Sequence, residues 1–315
     1  MQNIKIPIVR ELDKMDKLFR EFFATEDSPV ENMLNYLSRQ TGKKIRPLIL
    51  LLSAEISGNI NDLTLKYATI FEALHTASLI HDDIIDLAEL RRGEKSVNHK
   101  YGNKLAVLAG DFLLSRSLLI LTEIGQNEII KIYAQASENL CLGELLEQQV
   151  KTEKEFSEEN YFKTIGLKTA SLFAACGEVG VVATGGTAVL RQQMKAFGES
   201  FGLAFQLKDD LLDFVGSCEE TGKETGKDFA ENIMTYPVLS IMKNSRNIPE
   251  VEKLLAEKNF VSLKALIEKA GGFRLTEEKI AEYSRKCYEI IDQLPESQAG
   301  NTLKKLVKSN ETRKK

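Results

Sequence analysis

Two short acidic clusters, Asp82-Asp83-Ile84-Ile85-Asp86 and Asp209-Asp210-Leu211-Leu212-Asp213, repeat one Asp-Asp-x-x-Asp pattern. Each sits in apolar sequence with helical spacing. On a helix, residues four apart share a face, so Asp82 pairs with Asp86 and Asp209 with Asp213. Carboxylates crowded on one face repel, and more so when partly withdrawn from water. Hard cations relieve that repulsion, and Mg²⁺ commonly bridges one or two carboxylates to phosphate oxygens. One cluster alone would fit a solvated helix end equally well. Two of them, both on apolar helices, point to a site for several Mg²⁺ ions and a phosphorylated substrate.

Cationic groups bracket both clusters. His75 precedes Asp82 by close to two helical turns and shares its side of the helix, whereas His81 lies off that face and His99 falls in a loop. Arg91-Arg92 follows the first cluster closely, and arginine suits bidentate phosphate recognition. Lys43 and Arg46 stand in a turn entering a helix, itself an anion-friendly place. Lys168-Thr169 lies mid-helix in apolar surroundings, where an unpaired lysine is costly. Gln206 and Lys208 belong to the second-cluster helix. Gly222-Lys223 and Gly226-Lys227-Asp228 form a glycine-rich loop beyond it, as a lid would. Singly, each of these is an ordinary surface charge; together they supply what a diphosphate needs.

The elements that must hold these residues read as helices throughout. Only six prolines occur, none between residues 48 and 236, and alternating β-branched runs are scarce. The spacing predicts an amphipathic first helix carrying Ile8, Leu12, Met15, Leu18 and Phe22, and a helix from Leu63 into the first cluster. Further helices are expected near 105–122, 127–152, 158–183, 187–215, 234–243, 249–256, 261–270 and 275–292, with a loop at Arg91–Glu94. Ala170–Ala183 is apolar around its circumference, as a helix central to a bundle would be. No linker divides the sequence, so residues 1–315 read as one all-α domain.

Bulk properties exclude several classes. At 43% hydrophobic and 28% charged residues the chain is ordinary globular material, and its net charge of −4 argues against a nucleic-acid partner. Cys141, Cys176, Cys218 and Cys287 are far apart and read as buried, reduced thiols of a cytoplasmic protein. Neither a signal peptide nor a transmembrane segment is expected from the apolar runs. Thr312-Arg313-Lys314-Lys315 reads as a solvated end.

In its motifs the chain resembles the trans-prenyl (polyprenyl) diphosphate synthases. The stretches that carry the resemblance are Gly42–Pro47, His75–Asp86, Leu90–Gly93, Ala109–Phe112, Gly143-Glu144, Lys168–Ala170, Phe205–Asp213 and Gly222-Lys223. The resemblance implies a helical bundle around a deep central cavity (the isoprenoid synthase type), usually a homodimer, sometimes with a helper subunit. It implies Mg²⁺ at Asp82, Asp86 and Asp209, supported by Asp83, Asp210 and Asp213. An allylic diphosphate would meet Arg91, Lys168, Thr169, Gln206 and Lys223, and isopentenyl diphosphate Lys43, Arg46, His75 and Arg92. Two departures stand out: Ile233 where many relatives carry lysine, and Glu147 where many carry glutamine.

Product length follows from the same resemblance. Short-chain relatives often place a bulky aromatic four or five residues before the first Asp, where this chain has Ser78 and Ala77. Leu74 and Phe71 lie deeper and would form the stop. The expectation is a long-chain product, hexaprenyl or longer, suited to a quinone side chain. The alternatives are a farnesyl or geranylgeranyl synthase, or a partner-dependent subunit; small residues at 77 and 78 could instead serve close helix packing.

Overall fold

The computed structural model describes residues 8–22, 31–39, 42–216 and 226–314. The elements in order are α1 (Val9–Phe22), α2 (Glu31–Arg39), α3 (Ile45–Ser57), α4 (Asp62–Ile85), a hairpin of β1 (Leu90–Arg91) and β2 (Glu94–Lys95), α5 (Val97–Tyr101), α6 (Asn103–Ile124) and α7 (Asn127–Glu153). Then come α8 (Glu158–Ile165), a π-helical stretch (Gly166–Ala170), α9 (Ser171–Ala183), α10 (Ala188–Val215) and α11 (Lys227–Ala230). The remainder is α12 (Tyr236–Met242), α13 (Ile248–Ala256), α14 (Phe260–Ala270), α15 (Gly272–Asp292) and α16 (Gln298–Thr312). The expected all-α class holds. The loop expected at Arg91–Glu94 is a two-residue hairpin, and α16 was not foreseen.

Contacts group into two compact units. The first comprises Met1–Glu138, Leu172–Gly198 and Ile290–Lys305, the second Asn139–Ser171, Glu199–Glu289 and Leu306–Lys315. In the first, α4 starts at a reciprocal cap: the Thr64 N–H donates to Asn61 Oδ1 (3.0 Å) and the Asn61 N–H to Thr64 Oγ1 (2.9 Å). Such caps contribute about 1 kcal/mol and fix where a helix begins. From there α4 buries Tyr67, Phe71 and Leu74 and reaches the first acidic cluster.

Helix α9 is buried on nearly every side, from Leu172 to Val181, as its apolar circumference required. It lies so close to its neighbours that glycines mark the crossings. A Cβ on Gly180 would fall 2.2 Å from the Leu50 carbonyl oxygen of α3, and one on Gly198 of α10 would fall 2.3 Å from that of Phe173. Both obstacles are main chain, so no rotamer change relieves them.

The second unit has its own core around Leu207, Leu211, Phe214, Tyr236, Leu263 and Ile267. Two helical runs, Asn103–Ile124 and Glu158–Ala183, are by length and composition alone apolar enough to cross a membrane. The second is 72% buried within the protein, as a core helix would be. The first, α6, is 33% buried, because Leu105, Leu108, Leu118 and Leu119 point outward.

The glycine crossings give a direct stability test. Gly180→Ala should destabilise the fold by roughly 1–3 kcal/mol, the usual cost of overpacking, read as a lower urea midpoint. An unshifted midpoint would mean that α3 and α9 can separate freely.

Candidate active site

The first acidic cluster ends α4. Asp82 and Asp83 lie in its final turn, and Asp86 is the C-cap residue. A helix C-terminus carries partial negative charge, and no basic residue occupies this last turn. Three carboxylates therefore crowd a negative pole. Asp83 is buried, and Arg91 grips it with Nε (2.9 and 3.1 Å) and Nη2 (2.5 Å). The Asn98 amide donates to the carbonyls of Asp83 (3.1 Å) and Ala88 (3.2 Å), so α5 is tied to the end of α4.

Asp82 and Asp86 are half-buried and offer only oxygen donors. Among the described residues no group of three His, Cys, Asp or Glu side chains could hold an ion alone. A hard divalent ion suits this donor set, provided that phosphate oxygens and water complete its shell, as Mg²⁺ prefers.

A separate cationic group lies on the same unit. Arg46 Nη1 donates to His75 Nε2 (2.9 Å), and its guanidinium stacks 4.3 Å over the Phe173 ring. Arg92 holds a left-handed φ of 57° before Gly93 at 82°, the conformation of a tight hairpin turn. Its guanidinium rests against Gly42, where a Cβ would lie 2.5 Å from Nη2, and the exposed Lys43 follows. Burial, with Arg46, Arg92 and Arg91, holds His75 well below its ordinary range. The imidazole is thus neutral and accepts from Arg46 rather than adding charge. Glu72, one turn earlier and buried, has its carboxyl pushed up to about 7 by burial, tempered by Arg46, Arg92 and Lys44.

The second unit carries the other expected residues. Lys168 and Thr169 stand in the π-helical stretch, a widened turn often found at functional sites. Lys168 Nζ pairs with Glu144 (2.6 Å) and Glu147 (3.0 Å). The unusual Glu147 is therefore an ion-pair partner of Lys168, shared with Lys151 at 3.4 Å. Burial acts to raise the Glu144 carboxyl, but Lys168 and Gln148 outweigh it and hold it below its ordinary value.

A chain of bonds links Thr169 to the second cluster. The Thr169 hydroxyl donates to Gln206 Oε1 (2.8 Å), and Gln206 Nε2 donates to Asp210 Oδ1 (2.9 Å). The Tyr161 hydroxyl donates to Asp210 Oδ2 (2.5 Å). Asp210 is buried, which raises its carboxyl despite these bonds. Asp213 accepts the backbone N–H groups of Gly226, Lys227 and Asp228, each at 3.2 Å. Gly226–Asp228 is thus anchored rather than a loose lid. Lys223 and Gly222 lie outside the described residues, as does Cys218.

Asp209 is the exposed member, its side chain 43% accessible, and it pairs with Arg313 Nη1 at 2.6 Å. The solvated end expected at Thr312–Lys315 is corrected here. Arg313 is 10% exposed, bonds the Phe205 carbonyl (2.7 Å) and stacks on the Phe205 ring (4.2 Å).

Comparison with known proteins shows the family. A profile for polyprenyl synthetases matches residues 27–269. The chain belongs to the polyprenyl synthetase family. It is 35% identical over 280 residues to the decaprenyl-diphosphate synthase of Dictyostelium discoideum, covering 87% of this chain and 60% of that protein. It is 32% identical to heptaprenyl diphosphate synthase component 2 of Bacillus subtilis, covering 94% of this chain and 87% of that protein. A polyprenyl synthase from Caulobacter crescentus, solved with calcium and isoprenyl diphosphate, superposes with a TM-score of 0.90 at 29% identity, covering 98% of this chain and 96% of that one.

Within this family member, the folded chain adds residues that spacing did not reveal. Glu72, Tyr161, Glu144, Phe173 and Arg313 all touch or bias expected site residues. Two left a trace: Glu144 in the Gly143-Glu144 stretch, and Glu72 as a carboxylate in an apolar run one turn before His75. Of the described cysteines, Cys176 and Cys287 are buried as expected, but Cys141 is exposed; it lies on the open face of α7.

Glu72 sets a pH signature. Its carboxyl titrates near pH 7 when folded and near 4.5 when unfolded, so between these values the folded state holds an extra proton. Stability must fall as pH rises through that window, by on the order of 3 kcal/mol once complete. Glu72→Gln lacks the effect, so the variant should gain stability relative to the native chain between pH 5 and pH 8 in urea unfolding. Parallel pH profiles would contradict the reading.

Proposed function

We propose that this protein is a prenyltransferase that condenses isopentenyl diphosphate repeatedly with an allylic diphosphate to give a long-chain polyprenyl diphosphate. The observation that carries it is the pairing, on one unit, of a carboxylate cluster with a separate cationic group of Arg46, Arg92 and Lys43. Two diphosphates need two such centres, whereas a terpene cyclase has no use for the second. Isopentenyl diphosphate is assigned to Lys43, Arg46, His75 and Arg92, and the allylic diphosphate to Arg91, Lys168, Thr169, Gln206 and Lys223. Asp82, Asp86 and Asp209 would hold Mg²⁺, which when bound neutralises diphosphate and makes it a better leaving group.

The chemistry asked of the chain's own residues is mainly electrostatic. As the allylic C–O bond breaks, its electron pair leaves with the diphosphate, and Lys168 offsets the growing negative charge. The isopentenyl double bond then attacks the allylic cation, and one proton is lost, which the released diphosphate can take. A neutral His75 fits this scheme, since it orients Arg46 and need not act as base. Thr169 and Gln206, bonded to each other and on to Asp210, would position the diphosphate. Glu147 and Glu144 hold Lys168 in place and must share it when substrate arrives.

Long products are supported by the relatives' names and by the residues before Asp82. Ala77 is fully buried and small, while Leu74 and Phe71 are buried one and two turns deeper. A quinone side chain is the use such a product would have, and a cytoplasmic location fits the reading. With Mg²⁺, farnesyl diphosphate and isopentenyl diphosphate, chromatography should give products of thirty carbons or more. Products ending at fifteen or twenty carbons would refute the long-chain assignment. Ala77→Phe should shorten the product by at least one isoprene unit.

A second copy of the chain is the partner we infer. On α6, Leu105, Leu108, Phe112, Ser115, Leu119 and Thr122 repeat at three- and four-residue steps, the spacing of a helix–helix seam. Antiparallel against its own copy, this seam sets Leu108 opposite Leu119 and the large Phe112 opposite the small Ser115. Leu108 is 61% and Leu119 58% exposed, too much apolar surface to leave bare. Leu119→Glu should convert a dimer to monomer in sedimentation velocity; a native chain that is already monomeric would exclude the dimer. The resemblance to a protein named component 2 favours one further reading, a catalytic subunit needing a helper. Activity of the purified chain alone decides that.

A further inference from the structure

Arg313 takes no part in the scheme above, yet its guanidinium makes three contacts with the helix that bears the second cluster. Nη1 pairs with Asp209 Oδ1 (2.6 Å), Nη2 donates to the Phe205 carbonyl (2.7 Å), and the group stacks 4.2 Å over the Phe205 ring. Arginine offers five N–H donors, so two bonds leave it under-used. Its Nε is buried and makes no hydrogen bond to any described residue. A buried guanidinium in this state is held by Asp209 more than by its own satisfaction.

Asp209 is also unlike its neighbours. Asp210 is buried under Tyr161 and Gln206, and Asp213 is committed to three backbone N–H groups. Asp209 alone combines an accessible carboxylate with a partner drawn from far along the chain. A divalent ion and a guanidinium cannot both take the same oxygens at full strength, because each needs the lone pairs and the charge that the other occupies.

We propose that Arg313 is a positioning residue for the second cluster: a tethered counter-ion that competes with the divalent ion for Asp209 and is displaced when the ion arrives with diphosphate. The inference rests on the metal role assigned to Asp209. Arg313 keeps Asp209 from meeting the other carboxylates unneutralised, and it makes loading with metal alone less favourable than loading with metal and diphosphate together. The diphosphate supplies the oxygens that repay the lost ion pair, and the freed guanidinium has donors to offer it.

The test needs no turnover. Mn²⁺ binding to the substrate-free full chain is measured by the loss of the free-ion paramagnetic resonance signal. Arg313→Ala should tighten binding about five- to tenfold, Arg313→Lys less, and the gain should vanish in the Asp209→Asn, Arg313→Ala double variant. In the native chain, adding Mg²⁺ with inorganic pyrophosphate should raise deuterium uptake over residues 306–314, whereas Mg²⁺ alone should raise it little. Unchanged or weaker Mn²⁺ binding in Arg313→Ala would overturn the proposal. So would unchanged uptake at 306–314, a reading that stands even if the variants fold poorly. Failure of the synthase reading would appear separately, in the product assay on the native chain.

Discussion

Negative charge placed where a helix is already negative is the constraint around which this protein is arranged. The first cluster sits at the C-terminal end of α4 and the second in the final turns of α10, with no basic residue in either last turn. Left alone, such clusters would weaken both helix ends. The chain answers with a different local remedy for each carboxylate. Asp83 receives a bidentate arginine, Asp210 a tyrosine and an amide, Asp213 three backbone N–H groups, and Asp209 a guanidinium from beyond α16. The most exposed positions are the ones suited to an external cation. The frustration is thus divided: part is resolved by the fold and part is reserved for ligands.

The cationic groups follow the same economy in reverse. Arg46, Arg92 and Lys43 would repel one another if packed without relief. Neutral His75 gives Arg46 an acceptor, and buried Glu72 offers compensating charge only in its ionised form, which burial opposes and Arg46 and Arg92 favour. Lys168 is treated differently, being flanked by two glutamates, one of them the unusual Glu147. A lysine so held is well oriented but heavily neutralised, which makes its availability to a phosphate depend on the charge around it.

Much of this was legible in the sequence, for identifiable reasons. Long apolar runs without proline gave most of the long helices to within three residues at each end, and the Asp-Asp-x-x-Asp spacing gave both clusters, since helical geometry converts spacing directly into proximity. The residues that were missed act through tertiary contact. Tyr161 reaches Asp210 across forty-nine positions and Arg313 reaches Asp209 across 104. Arg313 in particular stood in a run of charged residues that looks solvated by composition. The Asp209 carboxylate, with the Phe205 ring and carbonyl one turn before it, explains why it is not. The hairpin escaped notice because two-residue strands leave no alternation to read, and α16 because its apolar stripe is thin.

The end of α10 has one more property. Gly216 N–H bonds to the Leu212 carbonyl, and Gly226 N–H bonds to that of Asp213, so chain leaves the helix and returns to it at nearly the same point. Gly226 fits there with φ 84° against the Phe260 ring, a conformation and a space that suit glycine. Gly216 and Gly226 thus both bond to the last turns of α10, at adjacent carbonyls. Closure entropy grows only as the logarithm of loop length. Insertions or deletions between 216 and 226 should therefore leave α10 and its carboxylates almost untouched.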